Sequence, residues 1–180
     1  MLVKPTSPQG MPAGGVQIHA ADARHALATR GNMVFIAWRG ETLVSAITNA
    51  KRVLGQALMQ RYTSYGLMQY VEQGAPPPDT AARNALADML TAGRGRLVCS
   101  SLVYPGTGFW AAAARAFVTG LNLLARPGFP HVVFPTVRDA AQWHIQLLAK
   151  EPVLTHADIC KTIDDLCAAL DKARAAAKSV

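Results

Sequence analysis

Six consecutive apolar residues, Met33-Val-Phe-Ile-Ala-Trp38, constrain what this chain can fold into more than any other feature. A run this short, apolar at every position, reads as a strand that must be covered on both faces of a sheet. His25-Ala-Leu-Ala-Thr29 precedes it, and Gly31-Asn32 between the two is a two-residue hairpin turn with positive φ at glycine. An antiparallel hairpin over Arg24–Gly40 is therefore predicted, with a further strand beginning near Val16 and Ile18.

After the hairpin the period changes. Leu43, Ile47, Ala50, Leu54, Ala57 and Leu58 recur at three and four, which predicts a helix over Thr42–Arg61. Strand-like runs then alternate with helix-like ones. Strands are predicted at Ser64–Glu72, Arg96–Tyr104 and His131–Phe134. Asp79 is placed to cap a helix carrying Ala82, Leu86, Met89 and Leu90, with Gly93 at its end. Thr136 and Asp139 form a capping-box pattern ahead of a helix burying Val137, Ala140, Ala141, Ile145 and Leu148. The apolar run from Trp110 to Ala125 carries one charge, Arg115, and stops at Pro127; it is expected to be a buried core helix and not a membrane span. The predicted class is α/β: a small mixed sheet entered by an antiparallel hairpin, alternating strands and helices, and a C-terminal accessory helix. The division expected is a flexible arm over residues 1–15, the α/β domain over 16–150 and an amphipathic helix over 151–180.

Half of the 180 residues are apolar and 16% are charged, the composition of a globular chain with enough length for its own core. The three cysteines, Cys99, Cys160 and Cys167, form no CxxC and suit a reducing compartment, and the N-terminus lacks a leader-like apolar run; both predict a cytoplasmic location. The formal charge is +7, carried by residues 1–150, while 151–180 hold four basic and five acidic side chains. That balance favours an acidic protein partner. Scattered arginines, and a strand Leu97–Val103 without interleaved aromatics or cations, argue against a nucleic-acid reader.

The order of elements resembles the STAS (anti-sigma-factor antagonist) family and relatives of CRAL-TRIO-like topology. The residues that carry the resemblance are Val34–Gly40 before the first helix, Leu97–Val103 leading to a glycine-rich turn and the Trp110–Leu124 helix, and Val132–Phe134 before Val137–Ala141. The resemblance implies a non-catalytic protein-interaction module with a regulatory or scaffolding role. One departure limits it. STAS regulators carry a phosphorylatable serine in an Asp-Ser turn, whereas the comparable segment here, Gln73–Thr80, offers only Thr80 as a hydroxyl. The phosphorylation switch is therefore not carried over.

No catalytic residue, cofactor or metal is predicted. His19-x-x-Asp22-x-x-His25 has ligand types without a standard zinc spacing. Whether any cysteine meets a histidine in space is left open by the sequence. The alternative to a protein-binding module is a site for a small anionic ligand at the Gly106-Thr107-Gly108 turn, where helix amides are free and Ser101 supplies a hydroxyl. A further alternative is a structural subunit of a larger assembly. The interaction residues expected are Arg39, Pro105 and Trp110 at the sheet end, and Ile159, Ile163, Leu166 and Leu170 along the last helix. That last stripe fits either docking on the domain's own sheet or a seam for homo-oligomerisation.

Overall fold

The computed structural model describes residues 14–178. Most of the expected arm lies outside the described residues. Six strands form one sheet in sequential order: β1 (Gln17–Ala21), β2 (His25–Arg30), β3 (Met33–Trp38), β4 (Tyr65–Val71), β5 (Leu97–Val103) and β6 (His131–Phe134). β1, β2 and β3 pair antiparallel, and β3 through β6 pair parallel. This is the α/β architecture with a mixed sheet that the alternation of periods predicts.

The hairpin forms as its turn chemistry dictates. Arg30 pairs with Met33, so Gly31 and Asn32 are the two-residue loop, and Gly31 adopts φ +54°. Asn32 is buried and donates to the carbonyls of Ser64 and Glu151. β3 is covered on both faces: Val34, Ile36 and Trp38 join one core, while Met33, Phe35 and Ala37 join the other.

β3, β4 and β5 are each followed by a crossover helix. α1 (Val44–Leu58), α2 (Thr80–Ala92) and α3 (Gly108–Ala125) lie on the face of Val34 and Ile36. α4 (Val137–Leu147) and α5 (His156–Lys178) cover the opposite face. Two starts follow from local capping. Asp79 accepts the Ala82 amide at 2.7 Å, and the Thr136 hydroxyl accepts that of Asp139 at 3.1 Å.

One expectation is corrected by the burial of the helices. The run Trp110–Ala125 is helical but is not a core helix: in α3 only Ala111, Val118, Leu121 and Ala125 are buried. Of the two readings of the last helix's stripe, docking on the chain's own sheet is the one seen: Ile159, Ile163, Leu166 and Leu170 are all buried against β2, β3 and α4. The C-terminal helix is present as α5. It seals the face of Met33 and Phe35, and the Arg30 guanidinium ties the strand end to the Asp158 carboxylate and carbonyl.

Candidate functional site

The carboxyl ends of β3, β4 and β5 converge where the chain departs into loops and helices, the edge at which open α/β sheets form crevices. A cavity of about 100 Å³ lies there. Its floor is Trp38, Gln69, Leu102 and Tyr104, from strand ends; its walls are Pro76, Pro77 and Pro78 on one side and Trp110, Ala114 and Phe117 of α3 on the other. Among the described residues no carboxylate, imidazole, amine, guanidinium or thiol lines it; its hydroxyl-bearing residues are Thr42 and Tyr104. The buried Gln69 amide oxygen is already engaged, accepting from the Trp38 indole at 3.1 Å. The lining thus offers shape and apolar surface.

Local sequence builds this edge. The three prolines cannot donate to a strand ladder and hold the β4–α2 connection extended and stiff. Gly106 is fixed by Tyr104: a Cβ there would stand 2.1 Å from the tyrosine ring. Gly108 opens α3 at φ +62°, a conformation suited to glycine. Beyond the turn, Trp110 is 55% exposed and meets Phe109 edge-on at 5.5 Å between ring centroids.

The expected site residues separate into two groups. Pro105, Gly106, Thr107, Gly108 and Trp110 sit together at this edge. Thr107 occupies the N-cap position of α3, but its hydroxyl makes no capping bond. Ser101 is corrected: side chains alternate along a strand, so it points to the opposite face from Leu102, fully buried and hydrogen-bonded to His144 Nε2 at 2.8 Å. It cannot reach a ligand at the turn. Arg39 is corrected too. Its guanidinium bonds Glu72 at 2.7 Å and Asp171 at 2.8 Å, tying β4's end to α5, and its side chain is 12% exposed. This makes it an internal strut.

Two constellations that sequence left open now have locations. Asp22 caps the β1–β2 turn, accepting the amides of Arg24 and His25 and pairing with His25 Nδ1 at 2.9 Å. His19 instead meets the Thr29 hydroxyl at 2.8 Å, so the His-Asp-His series divides between separate tasks.

Cys99 does meet a histidine. Its Sγ lies 3.1 Å from His144 Nδ1, with Ser101 on the other ring nitrogen, and Gly66 leaves space for the imidazole: a Cβ there would lie 2.8 Å from Nδ1. The geometry is that of a nucleophile beside a base, but burial reverses the chemistry. Removal from water pushes the Cys99 thiol up to about 12 and the His144 imidazole down to about 3. Both are neutral at pH 7, and neither lines the cavity at the sheet edge. The arrangement is a satisfied polar pair inside the core. The sequence signal was available in part: Cys99 and Ser101 share a strand face, and His144 falls within the apolar spacing Ala140, His144, Leu148. Accordingly, Cys99 is expected to resist a thiol reagent in the native chain at pH 8, while Cys160 and Cys167, which are only partly buried, react. Counting thiols with and without denaturant checks this; rapid native labelling of Cys99 would contradict it.

No family model, curated protein or solved structure matches this chain at a significant level.

Proposed function

We propose that the chain is a non-catalytic interaction module, STAS-like in its order of elements, that takes up a side chain of a protein partner at the carboxyl edge of the sheet. The observation that carries this reading is the character of the edge cavity. It is largely apolar, its polar side chains among the described residues are those of Thr42, Gln69 and Tyr104, with no carboxylate, imidazole, amine or thiol, and it is flanked by an exposed tryptophan. At about 100 Å³ it is well below the roughly 300–1,000 Å³ of pockets that enclose whole small molecules. One branched or aromatic side chain suits it better. A tryptophan beside an apolar pocket is the usual composition of an interface anchor. The formal charge of +7 favours a partner with acidic surface around that anchor.

The test is affinity capture from the native cell, followed by titration of the captured protein against variants. Trp110→Ala is expected to weaken binding by roughly 2 kcal/mol, more than tenfold, as truncating an interface tryptophan commonly does. Ala114→Leu, which fills the cavity, is expected to weaken it as well. The competing anionic-ligand site makes a different prediction. Stabilisation by phosphate or a nucleotide, abolished by Thr107→Ala and Gly108→Asp and untouched by Trp110→Ala, would replace the present reading.

A further inference from the structure

α3 carries a second surface, distinct from the cavity. Eighteen residues of helix extend about 27 Å. The side turned away from the sheet is Phe109, Ala112, Ala116, Gly120 and Leu123, with Leu124 beside them. Phe109 is 76% exposed and Leu123 73%, at opposite ends of the helix. Between them lie small residues, so the strip is long, flat and apolar.

Two observations identify what covers it. The first is charge. From Met89 to Arg138 the chain has no aspartate or glutamate, yet it has five arginines. Three arginines border the strip. Arg115 lies on one flank of α3, exposed Arg126 follows its last turn, and Arg83 of α2 lies over the Phe117 ring on the other flank. The second is the lack of hydrogen-bonding groups. A protein interface ordinarily carries about one hydrogen bond per 100–200 Å². None of the strip residues named above carries a polar side chain, and exposed Thr119 at its border already donates to the Arg115 carbonyl at 2.9 Å. A surface that is apolar, without free polar side chains and rimmed by cations matches a bilayer interface, where chains of hydrocarbon lie beneath anionic headgroups.

We infer that the outer face of α3 docks on an anionic lipid surface, inserting Phe109 and Leu123 while Arg83, Arg115 and Arg126 meet the headgroups. The helix is apolar and long enough by composition to cross a membrane, but topology rules that out in the folded chain. α3 joins β5 to β6, which are hydrogen-bonded neighbours in one sheet, so both its ends are held on the same layer. It lies along the interface instead.

The experiment is co-sedimentation of the full chain with phosphatidylcholine vesicles, with and without phosphatidylglycerol. Binding is expected to the phosphatidylglycerol vesicles and to weaken at higher salt. Leu123→Glu and Phe109→Glu should each lower partitioning about tenfold or more, and Arg115→Glu several-fold. Both apolar side chains are exposed, so the urea midpoint should stay unchanged in these variants. The inference fails if the chain does not sediment with anionic vesicles, if neutral vesicles bind it equally, or if Leu123→Glu has no effect. It also fails if the lipid-free chain is a dimer that Leu123→Glu dissociates, since a second copy would then be the occupant. The protein-partner reading is tested at Trp110 and the cavity, so either result can stand without the other.

Discussion

Acidifying the chain from pH 7 to pH 5 is expected to remove about 4 kcal/mol of stability, through two buried histidines. His131 and His144 are each almost wholly removed from water, and desolvation lowers them to about 4 and about 3 from an ordinary value near 6.5. In the unfolded chain both bind protons as the pH falls below about 6.5. In the folded chain neither does so until it reaches its own lowered value. The unfolded state therefore gains protons first, and the folded state loses stability across that interval. At pH 5 the imbalance is about 2 kcal/mol for each histidine. The carboxylates do not obscure it. Asp22, Glu151 and Asp158 are held below their ordinary range by hydrogen bonds, joined at Asp22 and Asp158 by a neighbouring positive charge, so what they contribute is lost only near and below pH 4.

Urea unfolding at pH 7 and pH 5 measures the difference, and one substitution assigns it. Neither ring nitrogen of His131 has a hydrogen-bond partner among the described residues. His131→Leu removes that unsatisfied polarity, so it should be neutral or stabilising at pH 7 and should halve the acid dependence. A flat stability between pH 7 and pH 5 would mean that these imidazoles are hydrated or unburied in solution.

The same two histidines show how far the sequence could be read. His144 lies at the i+4 spacing of Ala140 and Leu148, so its inward direction was legible from helical period alone. Its meeting with Cys99 was not, because it depends on how α4 crosses β4 and β5 and on the absence of a side chain at Gly66. Local signals carried the rest of the architecture. Turn chemistry at Gly31-Asn32, the cap at Asp79 and the box at Thr136 and Asp139 need only neighbours a few residues away. Two kinds of feature escaped. A helix apolar all round reads as a core helix, and nothing in α3 itself reveals that, among the described residues, no element covers the side of Phe109 and Leu123. Residues next to each other on a strand face opposite layers, and the reading that grouped Ser101 with Gly106–Gly108 ignored that parity. The apolar cavity of Trp38, Tyr104 and Trp110 joins residues more than 60 positions apart, so only the fold brings it together.

Removing residues 151–180 is expected to abolish folding. α5 supplies Ile159, Ile163, Leu166 and Leu170 to the face of the sheet formed by Ala26, Ala28, Met33 and Phe35. Burial of a large aliphatic side chain contributes roughly 1.5–3 kcal/mol, so the four together contribute roughly 6–12 kcal/mol. The whole net stability of a domain is of order 5–15 kcal/mol. The deletion would also strip the partners from Arg30, which is bound to Asp158, and from one side of Arg39, which is bound to Asp171, leaving two poorly exposed guanidinium groups less well paired. A chain ending at Lys150 should therefore lose its near-ultraviolet dichroism, bind a hydrophobic dye and show no cooperative urea transition. A milder change grades the effect. Leu166→Ala leaves the helix in place and opens a void in a fully buried site, which should cost about 2–5 kcal/mol in urea unfolding. A soluble, cooperatively unfolding fragment of residues 1–150 would show that the hairpin face tolerates water. α5 would then be an appendage, and its stripe would again be available to a partner.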